Sequence, residues 1–262
     1  MSEHDDLHWN SAITQVQPNE VRLRGYRIDE LMGRVTFAQA IYLALTGTLP
    51  TPETGRLLDA ILVASIDHGA TPPSALAART SASTGAPLNA AIAAGILSIN
   101  QYHGAAIENS MNTLLQVLHL AAGDADRLGA AADEVVANRR AARERIAGLG
   151  HRIHTADPRT ARLFALAEET GIAGQGVAAV RALAAALERQ TGRALPINVD
   201  GAIAALLIDL DLPPALANAF FIMARVPGLI AQIHEEQTRE RPMRAIHPTD
   251  HGYDGPPPRD LE

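Results

Sequence analysis

The chain has 262 residues, with 22 basic against 29 acidic side chains for a formal charge of −7, no cysteine, 47% hydrophobic and 19% charged residues. These figures predict a globular protein with a sizeable core, and the lack of Cys excludes disulfides, thiolate metal sites and cysteine nucleophiles. Mild acidity without a dominant basic face argues against electrostatic nucleic-acid binding, so an anionic ligand must meet local cations.

The first ten residues, MSEHDDLHWN, carry acids where a signal peptide needs basic residues, and no apolar run follows. The longest apolar stretches, such as AAIAAGIL, fall short of the roughly 18 residues that span a bilayer. A cytoplasmic protein with no membrane or nucleic-acid partner is expected.

Apolar positions then recur at helical spacing. Phe37, Ala40, Ile41, Ala44 and Leu45 form one stripe, with Thr36 as N-cap, Gly47 as the stop and Pro50 beyond. Further stripes run through Leu58–Ser65, Pro87–Ile99, Leu114–Leu120, Arg159–Glu169, Val177–Leu187, Gly201–Leu210 and Pro214–Arg225. No convincing period-2 run interrupts them, so an all-α protein of eight or more helices is predicted. Residues 121–126 and 211–214 read as breaks, and the prolines at 256–258 as an extended tail.

Ten histidines invite a metal reading, but the spacings do not support it. His247 and His251 are separated by Pro248 and lack the glutamate of a zinc-protease helix. Four other segments put an ionisable group beside glycine, where backbone approaches a ligand closely: IDHG at 66–69, YHG at 102–104, GLGHR at 148–152 and NVDG at 198–201. Read singly, Asp200 is a sound helix cap and a His beside Gly an ordinary helix terminator.

In this order and spacing, however, the segments resemble the citrate synthase superfamily over nearly the whole chain. RGYRIDELMG with VTFAQAIYLALTGTLP resembles the family's opening stretch; DHGATPPSALAARTSASTGAPLNAAIAAGI, YHGAAIE, GLGHRIHTADPR, NVDG, MARVPGLIAQIHEEQ and RERP resemble its later motifs. Gly69 stands where synthases usually carry Glu, and Ser65 where many have a further His. Within the superfamily the chain is therefore similar to stand-alone citryl-CoA lyases and to the C-terminal module of ATP citrate lyase. His103 is retained as in the synthases, so condensation of an acyl-CoA with a 2-oxoacid is the alternative reading. A silent acyl-CoA-binding regulatory subunit is the alternative from another class.

The resemblance implies that His103, His151 and Asp200 are catalytic. It implies that His68, Arg159, Arg225 and, from a partner subunit, Arg241 bind citrate or oxaloacetate. Arginine suits that task because its planar fork grips carboxylates. Arg145, Arg152 and the backbone N–H groups of Gly148 and Gly150 are expected to meet CoA. On a helix, Arg139, Arg140, Arg143 and Arg145 read equally as a solvated face paired with Glu134 and Glu144. A phosphate loop of the GxxxxGK[ST] type is absent, as is Lys altogether. The implied architecture is a large domain, 1–104 and 207–262, with a small domain inserted at 105–206, in an obligate homodimer. The CoA thioester is a substrate, and no bound cofactor or metal is implied. Asp200 must hold a proton to serve carbon; burial against the following apolar helix favours this, and the helix N-terminus opposes it.

Overall fold

In the computed structural model, the described residues are 9–100, 103–104, 106–151, 155–245 and 255. They open with a three-stranded antiparallel sheet, β1 (Thr14–Gln17), β2 (Glu20–Leu23) and β3 (Tyr26–Arg27), and are otherwise helical. The sheet corrects the expectation of no strands. Thr14–Gln17 is exposed at every position, so no buried face imposes the alternation that marks a strand in sequence. Arg24 ties this sheet to the helices by donating from Nε and Nη2 to the Ala44 carbonyl at 3.1 and 2.8 Å.

A short α1 (Ile28–Leu31) leads into α2 (Phe37–Thr46) and α3 (Pro52–Ala64). The stripe predicted at residues 37–45 is α2: Thr36 and Gln39 form a reciprocal capping box, and Gly47 closes the helix at φ +82°. After α4 (Pro73–Ser83) and α5 (Leu88–Leu97) come α6 (Ala106–Ala121), α7 (Leu128–Ala141), α8 (Pro158–Glu169), α9 (Gln175–Thr191), α10 (Val199–Asp209) and α11 (Pro214–Arg239). Helix α11 runs well past the predicted end at residue 225, continuing through Pro227. By length and composition it could cross a membrane, but Ala217, Phe220, Phe221, Ala224, Leu229 and Ile233 on it are buried in protein.

Packing divides the chain into two units, Met1–Asp67 with Asn100–Arg225, and His68–Ile99 with Val226–Glu262. Residues 105–206, expected as an inserted domain, lie within the first unit together with 1–67 and 207–225. That unit is organised around α10, which is buried from Gly201 to Leu207 and packs on α6, α8 and α9. The second unit has its own small-residue core of Ala78, Ala82, Ala91, Leu229 and Ile233.

Helix α10 is clamped at both ends. At its C-terminal end, Asp209 accepts from the backbone N–H groups of Gly174, Gly176 and Val177 at 2.9, 2.7 and 3.2 Å, capping α9 with a carboxylate from another helix. At its N-terminal end, the glycine loop is zipped to residues 196–198. Gly150 N donates to Pro196 O (2.7 Å), Asn198 N to Gly148 O (3.0 Å) and Asn198 Nδ2 to Gly150 O (2.8 Å). The same Asn198 caps α10 by accepting from Gly201 N at 3.1 Å.

Two glycines make that junction possible. A Cβ on Gly201 would lie 2.4 Å from Gly148 O, and one on Gly148, at φ +87°, would lie 2.4 Å from Ser110 Oγ and 2.8 Å from Gly201 Cα. Gly201→Ala is therefore expected to cost about 1–3 kcal/mol through overpacking. Gly129→Ala on α7, where an added Cβ meets nothing within 4 Å, should be neutral or stabilising by up to about 1 kcal/mol. Urea unfolding of the two variants beside wild type checks both values.

Candidate active site

The clamp on α10 delivers Asp200. Val199 is the first residue of the helix, so Asp200 sits in its first turn, directly before the backbone contact of Gly201 with Gly148. Burial raises its carboxyl pKa above 3.8; the charges of Arg159 and Arg225 pull it down, Asp157 pushes it up, and burial prevails. The sequence left burial and helix terminus in opposition; desolvation decides it. His151 is half-buried and follows Gly150, the residue bonded to both Pro196 and Asn198, so the zipper that places Asp200 also fixes the entry to this histidine.

The two arginines acting on Asp200 converge on the C-terminal end of α3. Arg159 Nη1 donates to Ala64 O at 3.4 Å, and Arg225 Nε donates to Ser65 O at 3.1 Å. Carbonyls at a helix C-terminus have no intrahelical donors and carry the negative end of the helix dipole, so they suit guanidinium groups. Arg225 is 3% exposed, and its guanidinium stacks over the Phe221 ring with 4.6 Å from Cζ to the centroid. Burial lowers its pKa, opposed by the charges of Asp67 and Asp200. The cation nevertheless stays charged, because the ordinary arginine pKa lies far above any working pH.

Phe221 also meets His103, edge to face, at a centroid separation of 6.0 Å and an interplanar angle of 85°. One ring thus supports a predicted catalytic histidine and a predicted carboxylate-binding arginine. Within the first unit the structure gathers Asp67, Asp157, Arg159, Asp200 and Arg225 into one electrostatic cluster. His103 is joined to it through Phe221. His68 and Arg241 belong to the second unit, and both are exposed. Arg152 and the His247/His251 pair lie outside the described residues.

Two expectations need correction. Gly150 N–H is committed to Pro196 O and Gly148 is buried, so neither offers an exposed backbone N–H to a CoA phosphate. Gly148 serves close packing against Gly201 and Ser110, and Gly150 a left-handed backbone at φ +84°. Arg159 does not present an open fork: Nε and Nη2 donate to the buried Asp157 carboxylate at 3.0 and 2.8 Å, while Asp157 caps α8 by accepting from Arg159 N. Its Nη1 edge faces a backbone carbonyl at longer range. In the arginine-rich stretch, Arg139 pairs with Glu144 and Arg140 donates to Gln190 O, as a solvated face would, while Arg145 is exposed.

Sequence reasoning missed Asp157, Asn198 and Phe221 as working parts. The first two carried a readable signal, an N-cap residue before Pro158 and before the apolar run from Val199. Phe221 carried none, since an aromatic within an apolar helix stripe reads as core.

Because the folded-state pKa of Asp200 is raised, folding is relatively favoured while the group is protonated. That advantage is full below about 3.8 and is lost as pH rises through the folded-state pKa. Asp200→Asn is therefore expected to be more stable than wild type at neutral pH. The gap should narrow by about 1.4 kcal/mol per pH unit between the folded and unfolded titrations and close in acid. Thermal unfolding of both proteins from pH 4 to 8 measures it.

Residues 50–249 match the family model described as citrate synthase, C-terminal domain. The structure of citryl-CoA lyase from Hydrogenobacter thermophilus superposes with a TM-score of 0.88 at 40% identity, covering 97% of each chain. ATP citrate lyase from Methanothrix soehngenii, solved with citrate and coenzyme A, shares the fold with a TM-score of 0.82 at 22% identity over 95% of this chain and 42% of that one. The citrate synthase of Deinococcus radiodurans is 27% identical over 216 residues, 80% of this chain. The chain spans about half, 55%, of that curated relative's length. With its helical architecture and a match over most of its length, the chain belongs to the citrate synthase family.

Proposed function

We propose that the chain catalyses the reversible cleavage of citryl-CoA to acetyl-CoA and oxaloacetate. The observation that carries the reading is Asp200, a desolvated acid whose pKa burial raises beside two arginines, in a chain matched over 97% of its length by a citryl-CoA lyase. Cleavage starts from the protonated acid. His151 takes the proton of the citryl hydroxyl, the carbon-carbon bond breaks as the ketone of oxaloacetate forms, and its electron pair passes to the thioester enolate. His103 donates a hydrogen bond to the enolate oxygen, and Asp200 delivers its proton to carbon, giving the acetyl methyl group. Run backwards, Asp200 removes a methyl proton and the same residues condense the two products.

Arg225, with its buried and ring-stacked guanidinium, is the principal carboxylate anchor of the proposal. Arg159 contributes charge through its Nη1 edge, with His68 and the Arg241 of a second subunit completing the substrate site by family resemblance. Arg145 and Arg152 are assigned to the CoA phosphates on the same ground. A homodimer follows from the assignment of Arg241.

If Asp200 handles the carbon-bound proton, wild-type protein in heavy water incorporates deuterium into acetyl-CoA when oxaloacetate is present. In Asp200→Asn both exchange and citryl-CoA turnover should fall by about 10² to 10⁴, with acetyl-CoA affinity little changed. Retained turnover in this variant would reduce the carboxylate to a helix residue and overturn the mechanism. Acyl-CoA binding by wild type with neither exchange nor turnover would favour a regulatory module.

The arginine assignment has its own measure. Arg225→Ala should weaken oxaloacetate binding by about 1.5–3 kcal/mol, tenfold or more in affinity, the usual cost of losing a charge-assisted bond. Titration calorimetry reads the affinity and circular dichroism confirms the helices. Unchanged binding would make Arg225 a structural residue.

A further inference from the structure

Beyond the end of α11 at Arg239, the chain reverses within the second unit and is fastened to it at two points. Met243 N donates to Ser83 O, the last residue of α4, at 2.8 Å. Arg244 grips Glu236 in a two-pronged bond, Nε to Oε1 at 2.6 Å and Nη2 to Oε2 at 2.7 Å. Glu236 is 2% exposed and also pairs with Arg79 Nε at 2.8 Å. Arg79 is itself buried, donates to Gln232 Oε1 at 2.7 Å and lies 3.6 Å from Glu235; Glu240 lies 3.7 Å from Arg244. The Arg244 bond and the two arginine charges hold Glu236 below the usual carboxylate range against its burial.

A buried ion network of this kind is poor at adding net stability, because desolvation consumes most of the attraction. Its strength is in specifying one geometry. The geometry held here is a strained one: Met243, with its side chain 74% exposed, sits at φ +57°, a left-handed conformation that a non-glycine residue keeps only when its surroundings impose it. Arg241 lies inside the fastened segment and is exposed. Pro242 after it disfavours helical backbone at Arg241, so α11 does not continue through this arginine.

We propose that Arg244, anchored on Glu236 and Arg79, is a positioning residue that holds Arg241 in one fixed reach for a substrate carboxylate. The inference rests on the assignment of Arg241 to the substrate site made above. Arg244 does not touch substrate; it removes the freedom that a segment following a long helix would otherwise have, so that Arg241 binds without first being ordered.

A double-mutant cycle tests this, read as oxaloacetate affinity by titration calorimetry on the full-length protein. Arg241→Ala should weaken binding tenfold or more, and Arg244→Ala about fivefold or more, with helicity and acetyl-CoA affinity retained. Arg241→Ala/Arg244→Ala should bind no more weakly than Arg241→Ala alone, because Arg244 acts only through Arg241. Arg244→Lys keeps the charge but not the two-pronged geometry, and should also weaken binding; it supplies the cycle if the alanine variant does not fold. Weakened binding in Arg241→Ala with unchanged binding in Arg244→Ala, or multiplicative losses in the double variant, would overturn the positioning role alone. Unchanged binding in Arg241→Ala would overturn the substrate assignment and this inference with it.

Discussion

The backbone of Gly148 meets the backbone of Gly201, and the site depends on that contact. No side chain intervenes, so the loop that ends in His151 and the helix that begins with Asp200 approach more closely than any other residue pair at these positions would allow. Asn198 makes the contact directional: one side chain caps the helix with its oxygen and holds the loop with its nitrogen. An acid in the first turn of an exposed helix would be stabilised as the anion. Here the carboxyl is buried, and desolvation raises its pKa against that influence.

The cationic half of the site is built on a different principle. Arg159 and Arg225 come from separate helices, yet both reach the carbonyls that end α3. They are held differently. Arg159 spends its fork on Asp157; Arg225 is pinned between a backbone carbonyl and an aromatic face, with the charges of Asp67 and Asp200 acting on it. The two differ in their fastenings, although in sequence both are arginines on helices.

The sequence made legible whatever was set by local chemistry. Thr36 stands where local rules place a cap, and helices α2, α8, α9 and α10 lie where their apolar stripes do; Asp157 and Asn198 carried the same kind of signal unread, and it is Asn198 rather than Asp200 that caps α10. Helices α4 and α7 were passed over because alanine, serine and scattered charge give little contrast between faces, although Ala75, Ala78, Ala82, Ala131 and Ala132 are buried once the tertiary structure exists. The exposed hairpin at residues 14–23 had no buried face to read. Among the site residues, the set as a whole came from ordered resemblance to a family. The raised pKa of Asp200, the capture of Arg159 by Asp157 and the ring of Phe221 between His103 and Arg225 are products of folding, set by neighbours distant in the chain.

The field of Arg225 on Asp200 has one further consequence. That positive charge is among the influences holding the acid's pKa down. A carboxylate seated on the guanidinium cancels much of this field and adds a negative charge of its own, and both changes make Asp200 more basic. Ligand binding and proton binding are then thermodynamically linked: each strengthens the other by the same factor. On the proposed assignment of Arg225 as carboxylate anchor, occupying that site would load the acid, so the electrostatics of the cluster would arm the proton donor when a substrate is there to receive it.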